Sequence, residues 1–97
     1  LGTIPMTVVF VGDVGTEIIL DCGTAVTTAT TRNIVARSPR GAKKTWTAVA
    51  EGSNSIKYVT QAGDLDQEGN WRLQAYIEMP GWSGHGDVVV LTVKAPI

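Results

Sequence analysis

The chain has 97 residues, the length of one domain, with a formal net charge of −1 and a pI near 5.7. Its eight Lys and Arg residues are spread along the chain, whereas proteins that follow nucleic acid phosphates have a basic face or a pI above about 9. Apolar stretches such as residues 88–91 are far shorter than the roughly 20 residues of a membrane span, and no segment has the order of a secretory signal. We predict a single domain over residues 1–97 that binds neither nucleic acid nor membrane.

Short segments rich in β-branched and aromatic residues, separated by Gly, Pro, Asn and Ser, predict about seven strands. In chain order these segments are residues 6–11, 16–22, 31–37, 44–50, 55–60, 71–79 and 87–94. The clearest is 71–79, in which apolar and polar residues alternate with the period of a half-buried strand. Regularly spaced short strands favour an all-β, antiparallel, immunoglobulin-like sandwich.

One short helical turn is predicted near residues 62–68. Asp64 can cap backbone N–H groups there, and Gly69 can end the turn in a left-handed conformation. Asp64, Asp66 and Glu68 also imitate the start of a calcium loop, but the residue that should be a bidentate Glu is Ala75, inside the clearest strand. A capped polar turn is therefore the preferred interpretation, and we predict no metal site and no cofactor.

Catalytic chemistry would have to use the single histidine, His85, with Ser83 or Cys22 as the nucleophile. The segment 81–85 resembles a nucleophile elbow only superficially, because that motif needs a Gly two residues after the Ser and a helix behind it. A lone Cys ending a strand is more often a small buried residue. We predict a hairpin loop at residues 80–84 and no enzymatic activity.

The three tryptophans differ in context. Trp71 begins the apolar face of its strand and is predicted to lie in the core, while Trp46 is compatible with either face. Trp82 lies among Gly, Pro and Ser in the predicted turn, where an exposed aromatic residue is often a contact residue. If Trp46, Trp82 and Tyr76 were exposed together, they could stack on sugars, so a carbohydrate-binding module is the alternative from another functional class.

Several predicted strands are apolar on both faces, as expected of a sheet that a partner covers. If Val8 and Phe10 point inward, then Val9 and Val11 point outward. By the same alternation Ile19 lies opposite Ile18 and Leu20, and Val88 and Val90 lie opposite Val89 and Leu91. We predict that a covered sheet contains Val9, Ile19 and Val90, and that the 71–79 strand belongs to the sheet that faces water. The predicted partner contacts are Val9, Val11, Ile19, Val88, Val90 and Trp82.

Nine segments, made of turn and core residues in a fixed order, carry a resemblance to a known family. They are residues 11–18, 20–23, 29–30, 34–41, 45–48, 56–60, 62–66, 69–71 and 85–89. In these segments the chain resembles the N-terminal immunoglobulin-like domain of tailed-phage baseplate upper proteins and related small phage structural proteins. The resemblance implies a non-enzymatic component of the virion, in the tail, baseplate or neck, with capsid decoration as the alternative location. It also implies other phage structural proteins as partners, in a homo-oligomer or a symmetric assembly.

Overall fold

The structure is a computed structural model that describes residues 2–3 and 9–97. Nine strands make up the elements of this part of the chain. They are β1 (Gly2–Thr3), β2 (Val9–Phe10), β3 (Glu17–Asp21), β4 (Thr31–Arg37), β5 (Lys43–Thr47), β6 (Val49–Glu51), β7 (Ser55–Val59), β8 (Gly69–Met79) and β9 (Trp82–Lys94). The described residues contain no helix, and therefore none long and apolar enough to cross a membrane.

Two sheets form the sandwich. The four-stranded sheet has the order β1-β3-β7-β6, and the five-stranded sheet has the order β2-β9-β8-β4-β5. Neighbouring strands are antiparallel except for β2, which runs parallel to β9 with Val9 opposite Val93. The two orders match the ABED and GFC sheets of an immunoglobulin domain, with a C′ strand and a first strand divided between the sheets. The predicted immunoglobulin-like all-β sandwich is confirmed.

The core lies between the inward faces of the two sheets, as the alternation in β8 predicts. Trp71, Leu73, Ala75 and Ile77 are buried, while Arg72 and the other polar residues of β8 face away from the core. The remaining core is contributed by all the other long strands and by two loops. Its members include Ile18, Leu20, Val26, Ile34, Trp46, Ile56, Leu65, Leu91 and Val93. Trp46, which the sequence left open, is buried and stacks on Tyr58 with ring centroids 5.0 Å apart.

The segment 44–50, predicted as one strand, is two strands in different sheets. β5 pairs with β4, whereas β6 pairs with β7 across the sandwich. The chain crosses between the layers at Ala48, which is buried and whose N–H donates to Arg32 O at 2.8 Å. A small side chain allows this crossing without displacing core residues.

The predicted helical turn near residues 62–68 is wrong. Residues 61–64 instead form an isolated turn, in which Asp64 N donates to Gln61 O at 3.1 Å. Asp64 does cap a backbone N–H, because its Oδ2 accepts from Gln61 N at 2.7 Å, but no helix follows. Gly69 is not a helix cap; it is the first residue of β8, with φ of 122°.

Trp71 fixes the corner at which the chain enters β8. Its indole Nε1–H donates to Gln67 O at 2.9 Å, four residues upstream. Many immunoglobulin-like domains have a tyrosine near the start of this strand that bonds back to the upstream backbone in the same way. Here a tryptophan makes that bond and is also fully buried. One side chain thus closes the corner and fills the core.

Lys44 lies over this corner, and its ammonium group binds the carbonyl and carboxylate oxygens of the loop before β8. Its Nζ donates to Gly63 O at 3.0 Å and Asp64 O at 2.9 Å, lies 3.3 Å from Asp66 Oδ2, and sits 5.4 Å from the centroid of the Trp71 ring. The loop that imitates a calcium site therefore has an ammonium group among its oxygens. No group of three or more potential metal-ligating side chains occurs in residues 2–3 and 9–97.

Tyr58 is expected to titrate at unusually high pH. Burial, then the hydrogen bond that Tyr58 donates to Asp64 Oδ2, and then the charge of that carboxylate raise the pKa of Tyr58 to about 12. Because a free tyrosine has a pKa of about 10, the stabilisation from this contact is complete below pH 10 and is lost as the pH rises through about 12. Spectrophotometric titration should show a phenolate transition near pH 12 that disappears in Tyr58→Phe.

The matched control for this titration is Tyr76→Phe. Tyr76 is the only other tyrosine, and it donates to Glu78 Oε2 at 2.8 Å on the outer face of the sandwich. The Tyr76→Phe variant should keep the transition near pH 12. Titration of Tyr58 in the folded protein near pH 10 would contradict the contact with Asp64.

Candidate functional site

Two of the six predicted contact residues lie exposed on one surface. Val88 and Val90 are 54% and 55% exposed and point away from the core, because Val89, Leu91 and Val93 take the inward positions of β9. They lie on the outer face of the five-stranded sheet, opposite Gln74 and Arg72 of β8. Exposed apolar side chains that are adjacent on a sheet face are suited to contact with another protein.

Val9 is not part of this surface. It was expected to point outward, but it is 1% exposed, whereas Phe10, expected in the core, is exposed. The reason is the register of β2, which places Val9 beside the inward-facing Val93 of β9. A shift of one residue exchanges the two faces of a strand. Val8, which entered the same prediction, lies outside the described residues.

The predicted covered sheet containing Val9, Ile19 and Val90 does not exist as one sheet. Val90 belongs to the five-stranded sheet together with β8, the strand that was predicted to belong to the water-facing sheet. Ile19 is half-buried on the outward side of β3, in the four-stranded sheet on the other side of the sandwich. The correction arises because strand pairing, which alternation does not encode, decides which strands share a sheet.

Val11 and Trp82 occupy two further places. Val11 is half-buried and lines a groove of about 340 Å³ with Arg40 and Glu68. Trp82 is 49% exposed, but it is the first residue of β9 rather than part of a loop, because the turn between β8 and β9 consists only of Pro80 and Gly81. Its ring lies against Gly84, where an added Cβ would be 2.6 Å from the indole. The six predicted contacts therefore do not form a single surface.

Sequence reasoning missed a row of basic residues beside Val90. Arg37 of β4 lies opposite both Lys43 of β5 and Arg72 of β8, and all three are exposed. The only hydrogen bond of their side chains among the described residues joins Arg37 to Gly41 O at 2.7 Å, and neither of the two ion pairs there involves them. Together with Val35, Gln74, His85 and Val88 they line an open groove of about 530 Å³. We call Arg37, Lys43, Arg72, Val88 and Val90 the basic face.

The outer side of the four-stranded sheet has the opposite charge. Glu17 and Asp21 are exposed on β3, and Glu51 lies on β6 with Ser55 between Asp21 and Glu51 in the register. The next row contains Ile19, Lys57 and Val49, of which Lys57 pairs with Glu51 at 3.4 Å. Val49 is exposed. We call Glu17, Ile19, Asp21, Val49 and Glu51 the acidic face.

The candidate nucleophiles are on different parts of the molecule. Ser83 and His85 lie on β9, where His85 contacts Tyr76 with ring centroids 4.9 Å apart and Ser83 is opposite Glu78. Cys22 follows β3 in the four-stranded sheet and is half-buried. Burial, and then the neighbouring Asp21 carboxylate, raise the pKa of the Cys22 thiol, which disfavours the reactive thiolate.

Tyr76 and Glu78 are engaged with each other rather than with a third group. The hydrogen bond from Tyr76 and a second from Thr31 lower the pKa of the Glu78 carboxyl, and the same bond to Glu78 raises the pKa of the Tyr76 hydroxyl. Both shifts favour a carboxylate and a protonated phenol as a stable pair. Proton transfer at neutral pH needs groups whose pKa lies near 7, and these two are shifted away from it.

The aromatic residues considered for sugar stacking do not lie on one plane. Trp46 is buried in the core against Tyr58, Tyr76 is on the outer face of the five-stranded sheet, and Trp82 is at the start of β9 against Gly84. Sugar rings are held by aromatic faces that are exposed together. Of these three residues only Trp82 is largely exposed.

No protein family model, no curated protein and no solved structure matches this chain.

Proposed function

We propose that this chain is a non-enzymatic structural component of a tailed-bacteriophage virion, in the tail, baseplate or neck, which binds neighbouring subunits through the outer faces of its sheets. The observation that carries the proposal is the pair Val88 and Val90, each more than half exposed on the outer face of the five-stranded sheet. The resemblance of the chain to immunoglobulin-like domains of phage structural proteins is the reason for proposing a phage virion as the assembly.

Several features support contact rather than catalysis as the role of this face. Its groove is open and is lined by side chains from four strands, Val35, Arg37, Lys43, Arg72 and Val88 among them. The strand backbones that carry these side chains are ordered before association, so the ordering cost falls on the exposed Arg and Lys side chains. Interfaces between proteins combine apolar with polar contacts, and Arg is enriched in them.

Incorporation into particles tests the proposal. Val88→Asp and Val90→Asp should each reduce the amount of this chain in purified phage particles by about tenfold or more, because each replaces an apolar contact with a carboxylate that must lose its hydration when the interface forms. The matched control is Val14→Asp, the same substitution at a residue that is 61% exposed in the loop before β3. Val14→Asp should incorporate normally.

Two outcomes would contradict the structural role. One is normal incorporation of both Val88→Asp and Val90→Asp variants with native circular dichroism. The other is the absence of the chain from purified particles together with binding to a glycan that Trp82→Ala abolishes, which would favour the carbohydrate-binding alternative. Localising the chain in the intact particle by cryo-electron microscopy would separate the tail, baseplate and neck from the capsid.

A further inference from the structure

We propose that the partner of the basic face is the acidic face of a second copy of this chain, so that copies stack through the outer faces of their two different sheets. The proposal rests on the structural role proposed above and names the partner. It is carried by the opposite charge of the two faces and by the matching spacing of their charged rows.

The charged rows have the same spacing. On the basic face Lys43 and Arg72 are on the two strands that flank β4, and on the acidic face Asp21 and Glu51 are on the two strands that flank β7. Adjacent strands in a sheet are about 4.8 Å apart, so each pair spans about 10 Å. The two basic groups of one copy can therefore meet the two acidic groups of another, with Arg37 placed between them.

The apolar rows follow the charged rows on both faces. Next to Arg37 and Arg72 along their strands comes the row that contains Val35 and Val88, paired through Gln74. Next to Asp21 and Glu51 comes the row that contains Ile19 and Val49, paired through Lys57. The two apolar rows are not in register with each other when the charged rows meet, because the charged row is centred on β4 and the row of Val35 and Val88 is centred on β8. With β4 over β7, Val35 lies over Lys57, so the stacking contact is carried by the charged rows.

The row of basic residues, Arg37, Lys43 and Arg72, lowers the stability of the isolated domain. Like charges directly opposite each other on neighbouring strands are destabilising, and Arg37 has one on each side. No carboxylate among the described residues forms an ion pair with any of the three. Of the carboxylates on β8 and β9, Glu78 accepts a hydrogen bond from Tyr76, and Asp87 lies at the irregularity in the pairing. A partner that supplies carboxylates would remove the repulsion.

The contact also has enough area and a defined geometry. The molecule measures 47 × 24 × 21 Å, so a face can supply the roughly 800 Å² per partner of a standard interface. Because the two faces differ, the contact is heterologous: each copy has one basic and one acidic face, and repetition gives a ring if the rotation closes and a helical stack if it does not. Both arrangements occur naturally in an assembly of repeated subunits.

Sedimentation velocity of the purified chain at several protein and salt concentrations tests the stacking. The weight-average mass should rise with protein concentration at low salt and fall as salt screens the contact. Arg72→Glu and Asp21→Lys should each weaken the association constant by about tenfold or more, since each places like charges across the interface. An equimolar mixture of the two variants should associate again, because each retains the face that the other has lost.

Two controls keep the charge change and move it out of the charged rows. Glu68→Lys lies in the exposed loop before β8, and Lys94→Glu lies at the end of β9, outside the basic row. Both should associate like the parent chain, and circular dichroism should show that all four variants fold. Rescue on mixing cannot come from an unfolded variant, so a folding defect and a lost contact are distinguished.

The stacking and the structural role are contradicted by different results, so one can fail while the other stands. A chain that stays monomeric at low salt and millimolar concentration rules out the second copy as the partner. If Arg72→Glu still prevents incorporation into particles in that case, the basic face binds a different acidic protein. Association that is unaffected by salt and by both charge reversals would equally contradict the proposal.

Discussion

Trp71→Ala is expected to lower the free energy of unfolding by about 3–5 kcal/mol, the usual cost of removing a large aromatic side chain from a core. Trp71 is 0% exposed and stacks on Trp46 with ring centroids 6.3 Å apart. Its removal would leave a cavity between the sheets. Typical single domains have about 5–15 kcal/mol of stability, so this one substitution removes a large part of it.

Trp71→Phe separates the two roles of this side chain. Phenylalanine keeps most of the buried ring but lacks the indole N–H, so Gln67 O loses its donor at the corner. We expect a loss of about 1–3 kcal/mol, the cost of an unsatisfied polar group, in addition to a smaller packing loss. Urea denaturation of the parent, Trp71→Phe and Trp71→Ala would give the series. Equal stability of the parent and Trp71→Phe would show that the hydrogen bond at the corner contributes nothing.

The Trp71 corner also explains how the domain dispenses with a disulfide. Antibody domains join their two sheets by a buried disulfide next to a tryptophan. This chain has a single cysteine, Cys22, which is half-buried after β3. Between its sheets lies instead a stack in which Trp46 contacts both Tyr58 of the four-stranded sheet and Trp71 of the five-stranded sheet. Aromatic contacts thus hold the layers together where antibody domains use a covalent bond.

The alternation of apolar and polar residues predicted which side chains point inward where the two faces of a strand differ, and failed where both faces are apolar. In β8 polar residues occupy every second position, so the inward set is unambiguous. Residues 8–11 are all apolar, so the pattern fits either register, and only the pairing of Val9 with Val93 decides between them. The division of residues 44–50 into β5 and β6 is likewise set by two different partner strands, β4 and β7. Long-range pairing of this kind is not encoded in a local pattern.

The candidate site was predictable in part for the same reason. Val88 and Val90 follow from their inward neighbours in β9, and their exposure agrees with the prediction. The basic row depends on three strands lying side by side, yet one half of it had a local signal. Arg37 and Lys43 flank the turn at residues 38–42, and a hairpin there places them opposite each other. Arg72, 35 residues along the chain from Arg37, joins them only through the pairing of β4 with β8.

Gly69→Ala is expected to be the most damaging glycine substitution among the described residues. Gly69 has φ of 122°, a conformation that residues with a side chain rarely adopt, which alone costs about 1–3 kcal/mol. An added Cβ would also lie 2.8 Å from Pro39 Cγ and 2.9 Å from Pro39 Cβ. A proline ring cannot rotate away, so the overlap adds about 1–3 kcal/mol of packing strain. Thermal or urea unfolding would measure the combined loss.

Two variants separate the strain in the backbone from the overlap with the ring. Gly63→Ala has a similar positive φ of 85° but no atom within 4 Å of the added Cβ, so it should lose only about 1–2 kcal/mol. Pro39→Gly removes both atoms that the new methyl would meet. In the Pro39→Gly background the cost of Gly69→Ala should therefore fall by the overlap contribution, giving a coupling energy of about 1–3 kcal/mol. A Gly69→Ala cost that is the same in both backgrounds would mean that the backbone conformation alone requires glycine at the entrance to β8. A smaller Gly69→Ala cost in the Pro39→Gly background would mean that contact with Pro39, in the turn after β4, also requires glycine at this position.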